Sequence, residues 1–223
     1  MIIVIQCAAT KRPDAGCLIT ADGRPVIFVA KPELAPYDGS RAYARPDDLL
    51  ENGRSWRELL HDYNERPGNN PLVLFPAYQL YQNPVYLRLA EAFGHEKLYI
   101  LSAGWGLIRA TFLTPYYDIT FSQRGEGYKR RRKGDQYKDF CMLPPQVDEE
   151  IVFLGGKDYI PLFSALTSGI KGKRTVFFNS ALPPDAPCCT SKKFPTSHRT
   201  NWHYECASFL IREQLRSNRR EVC

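Results

Sequence analysis

The sequence predicts an α/β fold: a mainly parallel central sheet, flanked by helices to give three layers. Three observations support it. Short runs without polar alternation, among them Ile2–Ile5, Leu98–Leu101 and Ile151–Phe153, read as strands buried on both faces. Between them lie segments with helical spacing, such as Trp56–Asn64 and Pro84–Phe93. The order strand 72–75, helix 84–93, strand 98–101 makes a crossover, which parallel strands require. A chain of 223 residues fits one domain with a real core, here carrying a basic insertion at about 121–140.

Taken in order, residues 2–6 form the first strand. The turn after it carries Gln6, Cys7 and Lys11 at a strand end, where open α/β sheets place ligands. Gln6 either holds a base edge or is structural. Lys11 either holds a phosphate or is solvated. Cys7 reads as a small buried hydrophobe. Residues 17–20 and 26–30, around Asp22-Gly23-Arg24-Pro25, are a hairpin candidate. Residues 31–46, rich in Pro, Tyr and Arg, read as irregular.

The helix over 56–64 has Ser55 or Asn52 as its cap and Pro67-Gly68 at its end. Pro84 fits the first turn of the next helix, and Gly94 closes it. Tyr78 and Gln79 leave a strand end as candidates for base stacking and edge reading. Glu150–Leu154 ends in Gly155-Gly156-Lys157 ahead of a helix, an arrangement that suits an anion, with Lys157 adding charge. It has neither Walker nor Gly-x-Gly-x-x-Gly spacing, so no nucleotide cofactor is expected. Thr175–Phe178 ends at Asn179, which reads a base edge or caps the turn. Asn201 opens a final helix that buries Cys206, Phe209 and Leu210 and frays from Arg216 to Arg220. His203 lies in its first turn.

The formal charge of +6 suits a polyanionic partner such as DNA. Much of it is concentrated in Lys129-Arg130-Arg131-Arg132-Lys133, flanked by glycines and read as a mobile arm for phosphates. No apolar run is long enough to span a bilayer, so no membrane partner is expected. Seven cysteines without a repeated Cys-x-x-Cys suggest a reducing cytoplasm. Cys188-Cys189 with His198 and His203 has poor zinc geometry, so no metal is expected.

The stretch Leu101-Ser102-Ala103-Gly104-Trp105-Gly106-Leu107-Ile108-Arg109, followed by Pro115-Tyr116-Tyr117-Asp118, combines glycines, aromatics and an acid at a strand end. It reads either as a pocket for a planar, polar-edged ligand or as a packed corner. These residues resemble the signature of the YaaA-like peroxide-stress family, whose wider fold group is similar to uracil-DNA-glycosylase-like domains. Ile5-Gln6-Cys7-Ala8-Ala9-Thr10-Lys11 adds a weaker match. The resemblance implies an α/β fold, DNA binding and protection of DNA.

Amides, an aromatic and a carboxylate offered to a base suggest hydrolysis of an N-glycosidic bond. The carboxylate would stabilise the oxocarbenium-like sugar, and donors would stabilise the leaving base. The expected catalytic residues are Asp118, His203 as leaving-group donor, and Asn179. Gln6, Ser102, Gly104, Trp105, Gly106, Tyr116 and Tyr78 would bind the base. Lys11, Lys129, Arg130, Arg131, Arg132, Lys133 and Lys157 would bind phosphates of a strand from which the base is flipped. The alternatives are a DNA-binding protein without chemistry and an enzyme acting on tRNA or nucleosides.

Overall fold

The computed structural model describes residues 1–66, 68–132 and 134–221, without the side chains of 219–221; Pro67 and Lys133 lie outside these residues. Strands β1 (Ile2–Gln6), β5 (Leu98–Ser102), β6 (Gly106–Arg109), β8 (Phe140–Cys141), β9 (Ile151–Leu154), β10 (Arg174–Phe178) and β11 (Thr190–Lys193) form one sheet in the order β11-β10-β9-β1-β5-β6-β8. All neighbours run parallel except β5 and β6. The α/β fold with a mainly parallel sheet is as the apolar runs predict.

Helices α1 (Trp56–Asn64), α2 (Ala77–Leu80), α3 (Val85–Phe93), α4 (Ile160–Leu166) and α5 (Trp202–Glu221) complete the layers. The crossover from β1 to β5 moves one way along the sheet and that from β9 to β10 the other. Right-handed connections therefore put their helices on opposite faces. The reversal lies between β1 and β9. Gln6 ends the first of these strands and Leu154 the second, so the switch point opens at their carboxyl ends.

Local signals account for the helix ends. Ser55 caps α1 in a capping box with Glu58: the serine Oγ accepts from the Glu58 N–H, and the Glu58 carboxylate accepts from the Ser55 N–H. Ser55→Ala is expected to lower stability by about 1 kcal/mol, read as a shifted urea midpoint with an unchanged slope. Gly94, at φ 85°, closes α3.

Several expectations are corrected. The strand over 72–75 shrinks to β4 (Phe75–Pro76), which pairs antiparallel with β7 (Leu113–Thr114) outside the main sheet. The parallel neighbour of β5 is β1, so the crossover begins at the first strand. The hairpin over 17–30 is shorter than expected: Ile19 bridges Pro25, and the N–H groups of Thr20 and Val26 donate to Arg24 O and Leu18 O. Strand β2 (Val26–Phe28) instead pairs parallel with β3 (Ala42–Ala44), inside the segment read as irregular. Helix α5 continues to Glu221 and buries Cys206, Ala207 and Ile211, whereas Phe209 is exposed.

Candidate functional site

The stretch from Leu101 to Asp118 is a packed corner. Strands β5 and β6 form a hairpin across Ala103-Gly104-Trp105. Ser102 and Trp105 are 0% exposed. The Ser102 Oγ accepts from the N–H groups of Gly104 and Trp105 and donates to Tyr117 Oη at 2.9 Å. The indole packs edge-on against Phe28, 5.0 Å between centroids. Both glycines serve packing. A Cβ on Gly104 would lie 3.1 Å from Ile119 Cδ1, and Gly106 has φ +86° with Phe140 O 2.5 Å from where its Cβ would be. Trp105, Ser102, Gly104 and Gly106 therefore hold the hairpin and are not open to a base.

Two buried arginines clamp this turn. Arg57 donates to Gly104 O and Trp105 O and pairs with Asp47. Arg131, 6% exposed, donates to Ala103 O at 2.9 Å and pairs with Asp139 through both Nη atoms, at 2.9 and 2.5 Å. Of the expected phosphate-binding arm, this residue is neutralised by an acid of its own chain. Thr120 and Arg130 form a bridge, and Lys31 N–H donates to Tyr128 O, so the basic insertion is hydrogen-bonded to the body.

Asp118 is taken up by Lys129, 2.9 Å away, which also meets Glu126 at 2.7 Å. Burial alone would lower the Lys129 pKa, but hydrogen bonds to these two carboxylates raise it above the ordinary lysine value. Lys11 is buried as well. Its ammonium reaches Ala8 O and Ala9 O and sits 4.1 Å above the Tyr117 ring, and burial lowers its pKa. Both ammonium groups are thus engaged within the chain. Tyr78 accepts from Gln79 and packs on His95, and Tyr116 is half-buried beside Asp118.

A cleft of about 670 Å³ opens at the switch point, within the range of ligand sites. It gathers Gln6, Lys157, Asn179 and His203 from the sequence expectations, and none of Asp118, Trp105, Ser102, Gly104, Gly106, Tyr116, Tyr78 or Lys11 lines it. The Gln6 Oε1 accepts the Gly156 N–H at 2.6 Å, so its free amide group is the NH₂. The Asn179 NH₂ donates to His198 O at 3.0 Å, so its free atom is the carbonyl Oδ1. A strand end thus offers a donor and its second neighbour along the sheet offers an acceptor.

His203 is 4% exposed, and Nε2 has no partner among the described residues. Burial pushes its pKa down to about 4, so the ring is neutral at pH 7. A neutral imidazole can donate one N–H to developing charge, as a hydrogen bond rather than as an imidazolium. Because the unfolded ring takes a proton near pH 6.5, stability from this group is present above that pH and is lost as pH falls toward 4. The loss is about 3 kcal/mol. Urea unfolding of His203→Phe should show a flatter pH dependence than the wild type over this interval.

Sequence reasoning missed Asp158, Arg124, Arg199 and Phe177, all of which line the cleft. Asp158 follows Lys157 in the loop after β9, and its carboxylate has neither an ion pair nor a hydrogen bond among the described residues. Its place directly after the Gly-Gly turn was a signal available in the chain. Arg124, Lys157 and Arg199 likewise make no ion pair among the described residues. Phe177 is half-buried in the wall. Among the described residues no group of three or more His, Cys, Asp or Glu is placed to hold a metal ion. No helix among them is long and apolar enough to cross a membrane.

No protein-family model matches the chain, and no curated protein matches it, so the YaaA-like resemblance rests on the residues that carry it.

Proposed function

We propose that this chain is a cytoplasmic DNA-binding enzyme that hydrolyses the N-glycosidic bond of a flipped base, with the cleft at the switch point as its active site. The observation that carries this reading is the donor–acceptor pair, Gln6 Nε2 and Asn179 Oδ1, in a cleft that also holds a neutral histidine and a carboxylate with no ion pair among the described residues. A base edge presenting one acceptor and one donor is complementary to that pair. Phe177 offers an apolar face, Arg124, Lys157 and Arg199 offer phosphate contacts, and the flipping energy of a few kcal/mol is offset by those contacts.

Asp158 takes the role that the sequence reading gave to Asp118. It stabilises positive charge on the sugar and positions water, while His203 donates an N–H to the leaving base. Repair and defence against phage with modified DNA are both settings for such an activity, and the family resemblance agrees with protection of DNA.

The test is mass analysis of bases freed from a panel of genomic DNAs, phage DNA with modified bases included. Release of one base type, with alkali-labile sites at matching positions, is expected. The second reading is DNA binding without chemistry, which the engagement of Asp118 by Lys129 favours. Tight, salt-sensitive binding with no base released from any DNA would establish it instead.

A further inference from the structure

Beside the cleft lies a second recess of about 450 Å³, lined by Phe121, Gln123, Arg130, Arg131, Arg132 and Asp158. Its charge state differs from that of its surroundings. Lys129 and Arg131 are neutralised by Asp118, Glu126 and Asp139. Arg130 and Arg132 have no ion pair among the described residues. Arg131 is nine-tenths buried and its two Nη atoms are taken by Ala103 O and Asp139, so the cations of the recess without an ion pair are Arg130 and Arg132.

The recess and the cleft share two wall residues, Gln123 and Asp158. From this we infer that the recess is a phosphate site belonging to the same ligand whose base enters the cleft: the substrate is a nucleotide unit, with its sugar at the shared wall beside Asp158. Two guanidiniums without an ion pair among the described residues, Arg130 and Arg132, favour an anion with several oxygens, which is phosphate rather than a single carboxylate. A base in the cleft and a phosphate in the recess are joined in a nucleotide by the sugar, and the carboxylate lies where those two spaces meet. This inference rests on the reading of the cleft as a base site. The phosphate can come from a free mononucleotide or from a DNA strand.

Equilibrium binding of the four deoxynucleoside 5′-monophosphates, the matching nucleosides, inorganic pyrophosphate and a short single-stranded DNA tests it. The proteins compared are the full wild-type chain, the double variant Arg130→Ala/Arg132→Ala and a remote control, Arg24→Ala. Phosphate-bearing probes are expected to bind at least about tenfold more tightly than nucleosides. That preference should fall to within about twofold in the double variant and persist in the control. Pyrophosphate should raise the melting temperature of the wild type but not of the double variant, whose own melting temperature reports that it is folded.

Arginine-dependent binding of mononucleotides identifies the free nucleotide as a source, and dependence confined to the single strand identifies the strand. Equal binding of nucleosides and phosphate-bearing probes, or a preference that survives the double variant, overturns the recess. The two readings fail separately. An arginine-dependent phosphate preference with no base released keeps the recess and removes the hydrolase. Base release without phosphate preference does the reverse.

Discussion

Asp139→Ala is expected to destabilise the protein by about 3–5 kcal/mol, a third or more of the stability of an ordinary domain. The carboxylate is 7% exposed and meets both Nη atoms of Arg131, which is itself 6% exposed in its side chain. Removing the acid leaves a guanidinium in the interior with only the Ala103 carbonyl and the faces of Tyr137 and Phe121 around it. The damage extends further, because that carbonyl belongs to the hairpin turn between β5 and β6. A control separates loss of charge balance from loss of volume. Arg131→Met/Asp139→Leu removes both charges, and most of the stability should return, since the desolvation of the pair disappears with it. Urea unfolding at pH 7 measures both. A single Asp139→Ala loss below about 1 kcal/mol would show that the pair is solvated.

Asp158→Asn is expected to slow base release by about 10²–10⁴-fold while leaving DNA binding nearly unchanged, and Asp118→Asn should change the rate by no more than about threefold. The two acids differ in what holds them. Asp118 faces the Lys129 ammonium at 2.9 Å and lies outside the cleft, so its charge is already spent on a neighbour. Asp158 lines both the cleft and the adjoining recess and has no ion pair among the described residues. An uncommitted carboxylate is the one able to respond when charge develops on a sugar. The amide substitution keeps shape and removes charge, so binding and turnover separate. Single-turnover release rates and a salt titration of affinity read the two quantities. Should Asp118→Asn stop release while Asp158→Asn does not, the acid belongs to the Lys129 pair.

The residues that converge on the cleft were partly legible along the chain. Gln6, Lys157 and Asn179 each stand at or just past the end of an apolar run, and parallel strands bring such ends to one edge. Local sequence was enough for this and for Gly94 after α3, and it narrowed the cap of α1 to Ser55 or Asn52, between which the structure chose Ser55. Strands β3 and β11 were hidden because a three-residue Ala-Tyr-Ala segment between arginines and a Lys-rich one at a sheet edge lack an apolar pattern.

Local pattern along the chain was sufficient for the architecture's ingredients: most of the buried strands of the main sheet, where helices start, and which polar groups follow strand ends. Which of those groups stay free depends on contacts made in three dimensions. Trp105 and Arg131 have the composition of a ligand site, yet Phe28 and Arg57 close over the indole from distant parts of the chain and Asp139 neutralises the guanidinium. Burial and charge neutralisation are pairwise properties of groups that meet in space. A cation or an aromatic ring carries no local mark of whether its partner will be its own protein or a ligand.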